Sequence, residues 1–72
     1  MAELTHQQYD ALERAVANSE RIAVYRRGTE YVVVPLRLYQ SNGREAVEAT
    51  HPTTGDRITF YIDEVERIDV VR

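Results

Sequence analysis

The stretch that decides the fold is YVVVPLRLYQ, Tyr31–Gln40. It is the most apolar run of the 72-residue chain and reads as a strand, yet Pro35 sits in its middle. Proline has no N–H to give to a β-ladder, so inside a sheet it is confined to edges, strand ends and bulges. Two placements satisfy that constraint. Either the strand ends at Val34, or a long strand bends sharply at Pro35, where ladder pairing is interrupted and a missing N–H costs little.

The surrounding segments favour the bend. RIAVYRR (Arg21–Arg27) precedes the stretch, with GTE as a tight connection. After it, Asn42-Gly43 is the strongest short hairpin signal a sequence offers. REAVEAT (Arg44–Thr50), the turn HPTTG, DRITFYI (Asp56–Ile62), one helical turn at DEVE and RIDVV (Arg67–Val71) complete the series. Asp63 is the expected cap of that turn. Upstream, Thr5 and Gln8 form a capping box, with Leu4 and Tyr9 placed as a hydrophobic staple. Tyr9, Leu12, Ala15 and Val16 then recur at helical spacing up to Asn18 and Ser19. A helix this short is marginal alone and needs a surface to rest on. The expected architecture is α+β and mainly β: one N-terminal helix (about 6–18) on a small, strongly bent, five-stranded antiparallel barrel (about 20–72). A single domain spans 1–72.

Alternation along these strands predicts two faces. One carries Ile22, Val24, Val32, Val34, Leu36, Leu38, Val47, Ala49, Ile58, Phe60, Ile62, Ile68 and Val70, the expected core. The other carries Tyr25, Arg27, Tyr31, Val33, Arg37, Tyr39, Arg57 and Tyr61, so every strand tyrosine falls among arginines. Three uses of that second face stand open. It is a half-exposed sheet surface partly under the helix, a protein interface enriched in the usual anchoring residues, or a stacking surface for single-stranded nucleic acid.

Order and motifs together resemble the Sm-like and SH3-like small barrels. From Tyr31 onward the chain is similar to the barrel of WYL domains, found in many bacterial transcription regulators. The likeness rests on Pro35-Leu36-Arg37-Leu38, on Asn42-Gly43-Arg44, and on Thr59-Phe60-Tyr61-Ile62-Asp63-Glu64-Val65. It covers a little over half the chain and implies the barrel fold. The family's Trp-Tyr-Leu is replaced by Glu45-Ala46-Val47, and Ile58 and Glu64 stand where the family has arginines. The resemblance therefore carries the fold and not the family's ligand chemistry, and no helix-turn-helix accompanies it.

Composition narrows the function classes. There is no cysteine, hence no disulfide framework, thiolate metal site or thiol nucleophile. His6 and His51 lie in unrelated contexts, and no Ser-His-Asp set or phosphate loop is present. No catalysis, cofactor or metal is expected. The opening MAELTHQQYD lacks a basic region and an apolar run, and no segment has the length of a membrane span, so a soluble cytoplasmic protein is expected. All nine basic residues are arginine and the net charge is −3. From Ser19 to Arg44 five arginines oppose two glutamates, a net +3; from Glu45 to Arg72 seven acids oppose three arginines, a net −4. Such a dipolar chain suits a non-catalytic binding, adaptor or regulatory module that docks on a protein partner or on itself. Single-stranded nucleic acid is the alternative partner, and no membrane contact is expected.

Overall fold

The computed structural model of the chain describes residues 4–71. Helix α1 (His6–Asn18) begins at the expected capping box. The Gln8 N–H donates to Thr5 Oγ1 at 3.1 Å, and the Thr5 N–H donates to Gln8 Oε1 at 2.9 Å. Two otherwise unpaired helix-end donors are thereby satisfied. At the other end Ser19 turns left-handed, and the N–H of Glu20 reaches back to the Ala15 carbonyl at 2.9 Å.

Five strands follow: β1 (Ile22–Arg26), β2 (Thr29–Ser41), β3 (Arg44–Thr50), β4 (Arg57–Tyr61) and β5 (Arg67–Val70). A 3-10 turn over Ile62–Glu64 lies between β4 and β5. All pairings are antiparallel, and the strand order is β4-β3-β2-β1-β5. The fold is thus the expected α+β, mainly β, barrel-like form. Two hairpins have two-residue turns, Arg27-Gly28 and Asn42-Gly43, and all four residues have positive φ. That is the backbone a right-twisted hairpin demands of its central pair.

Pro35 lies within an uninterrupted thirteen-residue β2, so the bend is the correct placement and the strand does not end at Val34. The register with β3 shifts between Pro35 and Arg37, leaving Leu36 as the extra residue of a bulge. This bulge divides β2 between two half-sheets. Its first half pairs with β1 and its second with β3.

The bulge also corrects the predicted faces. Directly opposed residues share a face, and β1 sets Ile22 against Val33 and Val24 against Tyr31. Val33 and Tyr31 therefore point to the core, with Val33 fully buried, while Val32 is 39% exposed. Beyond the bulge the parity reverses, so that Leu38 opposes Val47, which opposes Phe60. Leu36, expected in the core, is 42% exposed, and Pro35 is buried instead. Val34 is only half-buried.

One cluster unites helix and sheet: Leu12 and Ala15 from α1 pack with Ile22, Val24, Val33, Val47, Ala49, Phe60, Ile62, Val65 and Ile68. The helix thus lies on the concave, core side. It is pinned there by Tyr9, whose hydroxyl donates to the Glu45 carboxylate. The convex side of the sheet is not what the helix rests on. Among the described residues β4 and β5 are the two ends of the sheet and do not pair with each other, so the barrel keeps an open seam.

Candidate functional site

The seven residues expected on one tyrosine–arginine face separate into four places. Arg37, Tyr39, Arg57 and Tyr61 come together on the convex face of the β2–β3–β4 half-sheet. One cross-strand row there is Tyr39–Ala46–Tyr61, and the next is Arg37–Glu48–Thr59. Tyr25 lies on the convex face of the other half-sheet, opposed by Glu30 and Arg67. Tyr31 is on the core side, edge-on to Phe60 with ring centroids 5.3 Å apart. Arg27 is not in a strand at all: it is an exposed turn residue with φ 52°. Register explains Tyr31, and the two-residue turn explains Arg27.

The β2–β3–β4 patch is the densest of these. The Arg37 guanidinium lies over the Tyr39 ring at 4.4 Å and donates to Glu48 Oε1 at 2.9 Å. Arg57 reaches the other oxygen of Glu48 at 3.3 Å. Glu48 is the half-buried member of this trio, its side chain 18% exposed against 73% for Arg57. Arg37, hydrogen-bonded to it, and the added charge of Arg57 hold its carboxyl below the usual carboxylate range. Beside it, Arg44 lies 3.9 Å over the Tyr61 ring and grips Asp63 through two hydrogen bonds of 3.0 and 2.7 Å, with Glu64 at 3.2 Å. That fork-on-carboxylate geometry is the strong form of an ion pair. It holds Asp63 below its ordinary range and raises Arg44.

This clamp also explains why Asp63 is not the cap expected of it. The residue preceding the 3-10 turn is Tyr61, which makes no side-chain cap bond, and Asp63 sits within the turn facing Arg44. Two charge-assisted bonds outweigh the single backbone donor a cap would satisfy. Ala46, between Tyr39 and Tyr61 in the cross-strand row, is fully buried although it is on the convex face. A second, smaller patch repeats the chemistry: Arg67 lies 4.5 Å over Tyr25 and pairs with Asp69 at 3.0 Å, while the Tyr25 hydroxyl donates to Glu30 at 2.9 Å.

Glu48 and Asp63 make acid sensitivity predictable. Each has a folded pKa below its ordinary value, so each stabilises the fold above that value and loses its contribution as pH falls. The melting temperature is expected to fall below about pH 5. Glu48→Gln should blunt that fall, whereas an equal fall in the variant would remove Glu48 from the account. Thermal melts followed by circular dichroism between pH 3 and 7 read it directly.

Among the described residues no group of three or more His, Asp or Glu side chains is placed to hold a metal ion. No helix among them is long and apolar enough to cross a membrane. The patch holds rings, guanidinium groups and carboxylates paired with one another, a composition suited to contact with another molecule.

In fold, the chain is similar to a segment of proteasome accessory factor B/C (PafBC) of Arthrobacter aurescens, a WYL-domain protein. The superposition has a TM-score of 0.73 at 23% identity and covers 97% of this chain. The likeness is one of fold. It spans 12% of the PafBC chain, so this chain corresponds to a small part of that protein. The barrel expected from the Pro35-Leu36-Arg37-Leu38 and Thr59–Val65 motifs is the one the comparison shows. No protein-family model matches the sequence, and no curated protein does.

Proposed function

We propose that this chain is a non-catalytic binding module, of the regulatory kind in which such barrels occur, and that its convex Tyr39/Tyr61 patch docks on a protein partner. The observation that carries the choice of partner is the state of the arginines. Arg37 and Arg57 share Glu48, and Arg44 is held by Asp63 and Glu64. A phosphate backbone would have to displace these carboxylates or lie beside them. A protein surface, by contrast, gains from rings already oriented by stacked guanidinium groups. Such pre-ordered aromatic and arginine anchors lose little side-chain freedom on docking, which is why hot spots are built from them. This favours a protein over single-stranded nucleic acid, whose binding depends on unpaired cations and weakens steeply with salt.

The test is capture of partners by tagged protein from host-cell lysate, with and without nuclease, alongside a Tyr39→Ala variant. A partner retained through nuclease and weakened at least tenfold by Tyr39→Ala supports the proposal, since truncating a central anchor costs about 2 kcal/mol or more. Undiminished binding by a Tyr39→Ala, Tyr61→Ala double variant would move the interface elsewhere. Loss of all binding on nuclease treatment would make nucleic acid the ligand.

A further inference from the structure

Strand β4 ends the sheet, and its outer edge has a specific chemistry. The His51 N–H donates to the Asp56 carbonyl at 2.9 Å, which fixes the alternation of the β3–β4 ladder. The pairs Ala49/Ile58 and Val47/Phe60 then use their N–H and C=O groups between the two strands. Arg57, Thr59 and Tyr61 turn theirs toward the seam. Among the described residues no strand pairs with that edge. Arg57 and Thr59 are exposed, and β4 contains no proline, no bulge and no inward charge; Arg57 is the one charge on this short strand.

The flanks of this edge differ in sign. On the convex face the Arg57 end carries Arg57, a charge of +1, while the Arg37–Glu48 pair lies in the central Thr59 row and is neutral. The Tyr61 end holds Arg44, Asp63 and Glu64, a net −1. An antiparallel two-fold through Thr59 brings each end against its opposite. Arg57 then stands directly across from the partner's Tyr61, the last strand residue before the turn that carries Asp63 and Glu64. On the core side Ile58 meets the partner's Phe60.

We infer that β4 pairs with β4 of a second copy of this chain, making a continuous sheet across a two-fold axis. The other edge does not serve as well. The Val71 N–H donates to the Arg21 carbonyl, so in β5 it is Ile68 and Val70 that turn their backbone groups outward, and their side chains face the core. Pairing β4 with β5 of another copy would put Thr59 on the same face as Ile68 and join a polar convex side to an apolar one. Among antiparallel pairings only like-with-like matches the faces, and β5 is flanked by α1 residues Gln7, Gln8 and Ala11. This inference goes beyond the docking patch and does not need it. A dimer would set two such patches side by side.

Sedimentation equilibrium of the 72-residue chain over a concentration series tests it. The expected mass is twice the 8.3 kDa of one chain, relaxing toward the monomer on dilution. Thr59→Pro takes away an N–H that points outward, so it spares the β3 ladder bonds and every tyrosine, and it is expected to abolish the dimer. Arg57→Glu, which leaves the backbone untouched, should raise the dimer dissociation constant at least tenfold. A mass of 8.3 kDa at every concentration overturns the inference. So does a dimer that persists in a folded Thr59→Pro variant. If that variant does not fold, an unchanged dimer in Arg57→Glu overturns it instead.

Discussion

Val33→Lys is expected to unfold the protein, while Val32→Lys, one residue away, is expected to change its stability by only about 0.5 kcal/mol. The two valines are chemically identical and share a strand. They differ in face: Val33 is fully buried against Ile22, and Val32 is 39% exposed across from Ala23. A lysine at 33 would place an ammonium group in a core whose members are all apolar, with no carboxylate among them. An uncompensated buried charge costs about 3–5 kcal/mol. A core of this size supplies about the same. At 32 the lysine stem lies along the convex surface with its charge in water. Thermal melts of the two variants decide the matter. Equal melting temperatures would mean that the register of β1 on β2 is not the one described, because a one-residue slip exchanges the faces.

That contrast also marks where the sequence stops being legible. Capping residues, turn dipeptides and segment lengths are local signals, and they place α1, both tight hairpins and all five strands to within a residue or two. Pro35 announces a break in β2, but which residue becomes the extra one is settled by the partner strands. Alternation counted straight through Pro35 therefore puts Val32 inside and Val33 outside, the reverse of what β1 imposes, and it puts inside the Leu36 that the bulge against β3 leaves exposed. The same count carries Tyr31 to the wrong face. Arg27 follows from a different cause. Its neighbour Gly28 looks like the start of the turn, but a two-residue hairpin needs positive φ at both central positions, so the turn takes Arg27 as well.

The candidate site was half legible for a related reason. Composition places a net +3 segment before a net −4 segment, and both are visible in one dimension. What folding does with them is not. The hairpin at Asn42-Gly43 folds the basic segment back along the acidic one, so that Arg37 meets Glu48. The turn after β4 brings Asp63 and Glu64 under Arg44. Much of the apparent dipole is thus neutralised across strands. Alternation does not single out Arg44, Glu48 and Asp63 because pairs of residues far apart in sequence bring them to the patch. Their signal was the opposite sign of the two arms of a hairpin, a cross-strand cue rather than a periodic one.

Phe60→Ala is expected to cost about 3–5 kcal/mol, enough to leave little folded protein at 25 °C. Phe60 heads the fully buried side chains and is the point where the two half-sheets meet. It opposes Val47 in β3, receives the edge of Tyr31 from the first half of β2, and lies with Tyr31 under the Arg26 guanidinium at 5.1 Å. Removing the ring deletes buried apolar surface and leaves a cavity that the rest of the core fills only in part. It also strips Tyr31 of the partner that holds it inward, so the bend in β2 loses its internal support. Phe60→Leu keeps most of the volume and should stay folded with a lowered denaturation midpoint. Tyr31→Phe, which preserves the ring and drops only the hydroxyl, should fall close to the parent. Urea unfolding of the three variants orders them. A Phe60→Ala protein as stable as Phe60→Leu would mean that the half-sheets are joined by the backbone of β2 alone, with no aromatic contact needed across the bend.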